Sequence, residues 1–340
     1  MAGIEAGKTW SRIGAEVAPT SSAASGVWGD LNEVAENVGA GTWPAPFGGA
    51  GYFLGGTGSF GRVATVDKFA FADDSRTTLG TGLAVATNSN AAMANSGVAG
   101  YNAGGYISTG ATANIDKFAF PADTRTTLGT GLTSAIYFMA GMANSGTAGY
   151  FGGGTDGTSY YTRVDKFAFP GDTRTTLGTG LSAIVGGLGG MANNGVAGYF
   201  GGGSKWPSYY TTVDKFAFPS DSKSTLGTGL SVGRDGITGM ANSGTAGYFG
   251  GGYQYGGPAV TTVDKFAFPG DTRTTLSTGL STAVQATGAN ANNGVAGYFG
   301  GGSNNQTTVD KFAFPGDTRT TLGTGLSAGR GYLAGMADNL

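Results

Sequence analysis

The chain has 340 residues, a formal net charge of −2 and only 12% charged residues. It contains neither cysteine nor histidine, which excludes disulfides, thiolate metal sites and a histidine general base. So few basic residues argue against nucleic-acid binding. The sequence has no apolar run of about 18 residues and no leader pattern at its start, so we expect neither membrane insertion nor a signal peptide.

The first 49 residues lie outside the repeats that follow. Asp30 predicts the cap of a short helix over residues 31–38, which Gly39 would close. This segment holds three of the four tryptophans, and such large aromatic residues need a partner surface: Trp10, Trp28 and Trp43. We therefore predict that residues 1–49 are a mostly irregular anchor that docks on another surface.

The rest of the chain is built from a repeat. The string Asp-Lys-Phe-Ala-Phe occurs six times, at intervals of 46 to 50 residues, starting at Asp67, Asp116, Asp165, Asp214, Asp264 and Asp310. A period near 50 residues is typical of a four-stranded propeller blade. Glycine makes up 68 residues, as in some disordered chains, but the apolar residues (39%) recur in strict order, which favours a folded array.

Each unit divides into four short strand candidates separated by turn-forming residues. In one unit they are residues 239–242, 246–249, 262–268 and 272–280. The breaks are Asn-Ser-Gly or Asn-Asn-Gly, a glycine run, and Pro-Gly-Asp or Pro-Ser-Asp, which suit tight turns between antiparallel strands. Helical periodicity is missing from all six units, so the sequence predicts an all-β fold.

The two ends of the repeat region complement each other. Residues 50–83 contain the second, third and fourth strand candidates but lack a first one, whereas residues 330–340 contain a first strand with nothing after it. We therefore predict a six-bladed β-propeller over residues 50–340, whose ring is closed when the C-terminal strand joins the N-terminal blade. Closure would leave no sheet edge unpaired between the first and last blades.

The units resemble kelch repeats. The resemblance lies in the glycine run after an aromatic pair, residues 150–153, and in the strand Val164 to Phe167 that follows. It covers residues 50–340 and implies a kelch-like propeller. The chain departs from the family where threonine or leucine replaces the tryptophan of the fourth strand. The family's arginine before the first strand is present only as Arg234 and Arg330.

Charged residues recur in every unit, for example Asp165, Lys166, Asp172 and Arg174. A residue placed identically in every blade solves a packing problem that all blades share, and buried charges persist only when they are paired. We therefore expect these charges to pair within or between blades, and we predict no enzyme, no cofactor and no metal site. Two carboxylates in variable loops, Asp156 and Asp235, are the candidates for the alternative of glycoside hydrolysis. Calcium binding by loop oxygens is left open.

Two segments of each unit vary while the rest stays fixed. One follows the glycine run and the other follows the fourth strand, and strand direction places both on the same face of the disc. Loops on a rigid scaffold are where recognition usually resides. The predicted ligand-binding residues on this face are aromatic, amide and charged: Tyr160, Tyr161, Lys205, Trp206, Tyr209, Tyr210, Arg234, Asp235, Tyr253, Tyr255, Asn304 and Asn305.

A second resemblance concerns function. Residues 26–56 together with the repeated TTVDKFAFP and GMANSGTAGYFGGG resemble the repeat-rich virion and tail-fibre proteins of aquatic bacteriophages. This resemblance implies a virion protein, made in the host cytoplasm, whose N-terminal segment docks on other virion proteins while the propeller binds a host-surface glycan or protein. The alternatives are a purely structural decoration or tail-tip component, and a cellular kelch-like interaction scaffold. Self-association is left open.

Overall fold

The computed structural model of the protein describes residues 49–339 and, before them, the backbone of four short strands: Ile4–Glu5, Lys8–Thr9, Ser11–Ile13 and Gly26–Trp28. The first of these pairs with the second and the third with the fourth, both antiparallel. The predicted helix over residues 31–38 lies outside the described residues. Residues 49–339 belong to one compact unit.

Residues 49–339 form six four-stranded antiparallel sheets, and every regular element in this range is a strand. In hydrogen-bonded order, from first to fourth strand, the sheets are as follows: sheet 1, Ala334–Asp338, Ala50–Leu54, Val66–Ala70 and Arg76–Thr78; sheet 2, Ala91–Asn95, Ala99–Ala103, Ile115–Ala119 and Thr124–Thr127; sheet 3, Tyr137–Asn144, Ala148–Thr155, Val164–Ala168 and Thr173–Thr176; sheet 4, Gly189–Asn193, Ala197–Gly201, Val213–Ala217 and Ser222–Thr225; sheet 5, Thr238–Asn242, Ala246–Gly250, Val263–Ala267 and Thr272–Thr275; sheet 6, Gly288–Asn292, Ala296–Gly300, Val309–Ala313 and Thr318–Thr321.

This arrangement is a β-propeller-like all-β fold. Three of the loops between second and third strands contain short two-residue strands: Thr57–Gly58 with Gly61–Arg62, Tyr106–Ile107 with Gly110–Ala111, and Ser204–Lys205 with Ser208–Tyr209. Arg330–Gly331, which precedes the first strand of sheet 1, pairs with Thr57–Gly58. In the described part of the chain there is no helix of the length and apolarity that crossing a membrane requires.

The turn residues take the conformations that their types allow. In sheet 3, Gly146 closes the turn between the first two strands with φ +78°, and Asp172 takes φ +55° in the turn before the fourth strand. The fourth strand is shorter than the sequence predicts, because it ends at Thr176 instead of continuing through the Leu-Gly-Thr-Gly-Leu run. The chain then turns, and Leu181 donates its N–H to the carbonyl of Thr162.

Neighbouring sheets are joined by a recurring contact between a tyrosine, a lysine and an aspartate. Between sheets 2 and 3, Tyr101 Oη and Lys117 Nζ donate to the two carboxylate oxygens of Asp172 at 2.7 and 2.6 Å. The same lysine–aspartate pair recurs at every junction: Lys68–Asp123, Lys117–Asp172, Lys166–Asp221, Lys215–Asp271, Lys265–Asp317 and Lys311–Asp74. The expected pairing is confirmed for these repeated lysines and aspartates, whereas Arg174 donates to the carbonyl of Gly131.

A second junction contact involves the buried aspartate of each third strand. Asp165 accepts a hydrogen bond from Thr176 in its own sheet and another from the backbone N–H of Thr133, which precedes the first strand of that sheet. Equivalent backbone bonds, 2.7–2.9 Å long, reach the other five aspartates. Each carboxylate is therefore satisfied by partners from two segments far apart in the chain, as a buried charge requires.

Sheet 1 joins the two ends of the described region. Its first strand, Ala334–Asp338, pairs antiparallel with Ala50–Leu54, with Ala334 opposite Leu54. The buried guanidinium of Arg330 donates to Asp67 at 2.9 Å, and both side chains are at most 1% exposed. Burial alone would raise the pKa of Asp67, but the hydrogen bond from Thr78 and the charge of Arg330 outweigh it and lower that pKa.

This ion pair gives a test with an internal control. Asp310 is the equivalent of Asp67 in sheet 6 but faces Arg319, whose side chain is 27% exposed and 4.0 Å away. Asp67→Ala leaves Arg330 buried and unpaired, so we expect it to cost about 3 kcal/mol more free energy of unfolding than Asp310→Ala in urea titrations. Adding Arg330→Ile to Asp67→Ala should recover much of this loss, because it replaces the unpaired guanidinium by the aliphatic type found at the equivalent Ile136. Equal losses from the two alanine variants would contradict the argument.

Candidate functional site

The two variable segments of a unit lie side by side. In sheet 5, Asp235 precedes the first strand and pairs with Tyr253, which lies between the second and third strands. Their backbones exchange two hydrogen bonds of 3.0 and 2.8 Å. Gly186 pairs with Ser204 in the same way in sheet 4. The variable loops therefore form one layer at the same end of their sheets; we refer to it as the loop face.

Four of the predicted aromatic residues form a cluster on this loop face. The ring of Trp206 lies 5.6 Å from that of Tyr255, and Tyr209 lies 5.9 Å from Tyr255 and 6.2 Å from Tyr253. Trp206 is 65% exposed and Tyr255 63% exposed. Because the four rings come from loops of sheets 4 and 5, the cluster bridges two neighbouring sheets. The exposed Lys205 lies next to Trp206 in the short hairpin of sheet 4.

The other predicted tyrosines are less accessible. Tyr161 packs against the core of sheets 2 and 3, donates its hydroxyl to Asp156 at 2.5 Å, and lies under the guanidinium of Arg163 at 4.8 Å. Tyr210 packs against the neighbouring core cluster. Tyr160 is half-buried beside Gly186, where an added Cβ would lie 3.2 Å from its ring. Tyr161 and Tyr210 therefore support the loops more than they face solvent.

Arg234 is not on the surface, which corrects its place among the ligand-binding residues. Its side chain is fully buried and donates to Asp264 at 3.0 Å and to the carbonyl of Phe249 at 3.3 Å. It occupies the position that Ile136 and Val185 hold in sheets 3 and 4, so the guanidinium replaces an aliphatic core residue. A group enclosed in this way is not accessible to a ligand on the loop face.

The remaining predicted residues are placed as follows. Asn304 and Asn305 are exposed in the loop of sheet 6, and Asn305 donates to Ser59 in the loop of sheet 1 at 3.3 Å. Trp28 ends the strand Gly26–Trp28, whose backbone alone is described. Trp10 and Trp43 lie outside the described residues.

Four aromatic residues that the sequence did not single out also lie on the loop face. The ring of Tyr137 lies 5.1 Å from Tyr106 and 5.0 Å from Phe138, and Phe138 lies 5.9 Å from Tyr332. The guanidinium of Arg62 covers Tyr106 at 4.7 Å. All four residues fall within the variable segments, but nothing in their local sequence indicates that separate loops bring their rings together.

Phe138 and Tyr332 belong to a set of six equivalent residues, one from each sheet, which we call the mouth residues: Tyr332, Ser89, Phe138, Gly187, Gly236 and Ala286. Five of them lie just before a first strand, and Phe138 holds the same position inside the longer first strand of sheet 3. All six have positive φ, between +54° and +69°. They are linked head to tail, since Ser89 donates its N–H to the carbonyl of Tyr332 at 2.8 Å and Phe138 donates to Ser89 at 2.9 Å. Five such bonds run from one sheet to the next, including that from Tyr332 to Ala286.

Two carboxylates on the loop face have pKa values that are shifted in opposite directions. The hydrogen bond from Tyr161, with those from the backbone of Ser159 and Thr158, lowers the pKa of Asp156 to about 2. Burial raises the pKa of Asp235, although Ser204 Oγ donates to its carboxylate at 2.7 Å. Burial, with the nearby charge of Asp235, also raises the pKa of Tyr332. Across the described residues, no three acidic side chains come together as metal ligands would.

The raised pKa of Asp235 predicts a pH effect on stability. Its charged form is disfavoured in the folded state, so the wild type loses stability as the pH rises from the unfolded value of about 4 through the folded pKa. In the variant Asp235→Asn the side chain does not titrate, and its amide oxygen can still accept from Ser204. We therefore expect this variant to unfold at higher urea concentration than the wild type near pH 7 and to lose this advantage near pH 3. A difference that does not vary with pH would contradict the assignment.

Comparisons with known proteins add a likeness of fold. No protein-family model matches the chain, and no curated protein matches it. The solved structure of YjhT is similar, with a TM-score of 0.60 and 15% sequence identity over 74% of this chain and 87% of that one. At this identity the likeness shows the fold alone, and it supports a β-propeller-like all-β architecture.

Proposed function

We propose that residues 50–340 form a closed six-bladed propeller of kelch-like build, preceded by an N-terminal anchor of residues 1–49. Three contacts support closure of the ring. The strand Ala334–Asp338 pairs beside Ala50–Leu54, and Lys311 reaches Asp74 as every other repeated lysine reaches the next sheet. The backbone bond from Tyr332 to Ala286 continues the mouth series across the same junction. A closed ring leaves no unpaired edge at that junction.

We further propose that this propeller binds a partner through its loop face and does not catalyse a reaction. The observation that carries the proposal is the aromatic cluster in which the exposed Trp206 and Tyr255 pack with the half-buried Tyr209 and Tyr253. Exposed tryptophan and tyrosine supply rigid, amphipathic contact area with polar groups at the ring edge, and such residues dominate binding energy in interfaces. Lys205, Tyr160, Asn304 and Asn305 lie in the same loop layer.

In this proposal the protein is a phage virion component, tail-fibre or tail-associated, that attaches to a host-surface glycan or protein. The tail-fibre resemblance of residues 26–56 and of the repeats supports the virion assignment. Residues 1–49, with Trp10, Trp28 and Trp43, would dock on other virion proteins. A purely structural decoration is the second candidate, and a cellular interaction scaffold is the third. Imaging of the assembled particle separates them, because an adhesin directs its loop face outward whereas a decoration buries it against neighbouring subunits.

The aromatic cluster predicts that removing either of its exposed rings weakens binding. On a panel of bacterial-surface glycans and host-cell extracts, we expect the full chain to bind and Trp206→Ala or Tyr255→Ala to weaken binding at least tenfold, which corresponds to about 1.4 kcal/mol or more. Both side chains are exposed, so the melting temperature should change little.

Val196→Ala is the matched control. Val196 is an exposed apolar residue, 49% accessible, in the turn between the first two strands of sheet 4, at the opposite end of the sheet from the loop face. We expect this variant to bind as the wild type does. Equal binding by the Trp206 and Val196 variants would reject the loop face as the binding surface.

A further inference from the structure

A cavity opens at the loop-face end of the six first strands. It encloses about 90 Å³, and its lining includes the six mouth residues and the beginning of every first strand. None of the lining residues, all of which lie in the described region, carries a charge. The cavity opens to solvent at the loop face, and a volume of this size suits one small ring and not a whole oligosaccharide.

The mouth of this cavity is asymmetric. The rings of Phe138 and Tyr332 form one wall, with centroids 5.9 Å apart. On the other side, Gly187, Gly236 and Ala286 expose backbone or a single methyl group. The mouth of the cavity therefore has one aromatic wall and an opposite wall with almost no side chains.

The two aromatic residues are placed where the backbone favours glycine. Phe138 and Tyr332 both have φ +58°, a conformation that is rare and strained for bulky side chains. Glycine occupies the equivalent position in sheets 4 and 5, so the fold itself does not require a side chain there. Strained residues of this kind cluster at ligand sites, and both rings border the cavity.

Two polar side chains stand beside the bare wall. A Cβ added to Gly187 would lie 3.1 Å from the Cβ of Asp235, and one added to Gly236 would lie 3.4 Å from Gln285 Oε1. A carboxyl and an amide thus flank the wall opposite the aromatic rings. Since Asp235 is acidic and no lining residue is basic, the site favours a neutral ligand over an anion.

From this arrangement we propose that the cavity binds one terminal ring of a neutral sugar. The apolar face of the ring would pack on Phe138 and Tyr332, and its hydroxyls would hydrogen-bond to Asp235 and Gln285. Aromatic walls with a few convergent polar groups are the usual composition of small-ligand sites. The inference rests on the proposed binding function and names its ligand class and its central contact.

The test uses the full chain with three neutral probes, methyl β-D-galactopyranoside, methyl α-D-glucopyranoside and the methyl glycoside of N-acetylglucosamine, and the methyl glycoside of N-acetylneuraminic acid as the acidic comparison. Saturation-transfer NMR and calorimetry measure binding. We expect the wild type to bind at least one neutral probe more tightly than the acidic one. The double variant Phe138→Gly with Tyr332→Gly should bind that probe at least tenfold more weakly.

The glycine variants also separate binding from folding. Glycine relieves the positive-φ strain, so the double variant should melt at the wild-type temperature or above it. Val98→Ala is the control, since Val98 is an exposed residue in the turn between the first two strands of sheet 2, away from the loop face and the cavity, and binding should be unchanged.

Each outcome bears on one proposal. No binding of any neutral probe, a preference for the acidic probe, or equal affinity of the wild type and the double variant would overturn the sugar site. If Trp206→Ala abolishes attachment to the host extract while the double variant attaches normally, the loop-face function stands and the cavity proposal fails. If the wild type attaches to no glycan and no extract, the proposed function itself fails.

Discussion

The buried carboxylate in each third strand is the contact on which the architecture depends. Asp165 and its equivalents lie in a strand otherwise made of apolar residues and one lysine. Each accepts hydrogen bonds from a threonine of the same sheet and from a backbone N–H of the connecting segment. The connection from one sheet to the next is thereby fixed at the end where the variable loops begin. At the junction between the chain ends, Arg330 adds a buried cation to Asp67.

This fixed scaffold explains how loops of different sequence can form one surface. The lysine–aspartate contacts set the spacing of neighbouring sheets, and the head-to-tail bonds of the mouth residues set the spacing near the cavity. Loops that start from fixed points can vary without disturbing the core. The aromatic cluster around Trp206 and the rings at the mouth therefore extend from fixed strand ends, which would lower the entropic cost of the proposed binding.

The sequence predicted the fold further than the site. The 46- to 50-residue period predicted the four-stranded units, and the incomplete units at the two ends of the repeat region predicted the pairing of Ala334–Asp338 with Ala50–Leu54, because repetition shows which strand each end lacks. Trp206 and Tyr255 could be predicted as exposed loop residues. Arg234 could not be placed, since its burial depends on Asp264, which lies 30 residues away in sequence. Phe138 and Tyr332 were missed because their conformation is set by backbone bonds to other sheets.

In the proposed ring, the first and last strands of the repeat region meet in one sheet. A cysteine pair tests this contact directly, because the chain has no cysteine of its own. Leu54 and Ala334 are opposed in register, and opposed residues have Cα atoms about 4.5–5.5 Å apart, within the range of a disulfide. We predict that Leu54→Cys with Ala334→Cys forms an intramolecular disulfide under mild oxidation, seen as a faster band on a non-reducing gel. Ala50→Cys with Ala334→Cys, separated by about 13 Å along the strand, should not form one. Cross-linking only between molecules, or equal cross-linking of both pairs, would contradict the proposed closed ring.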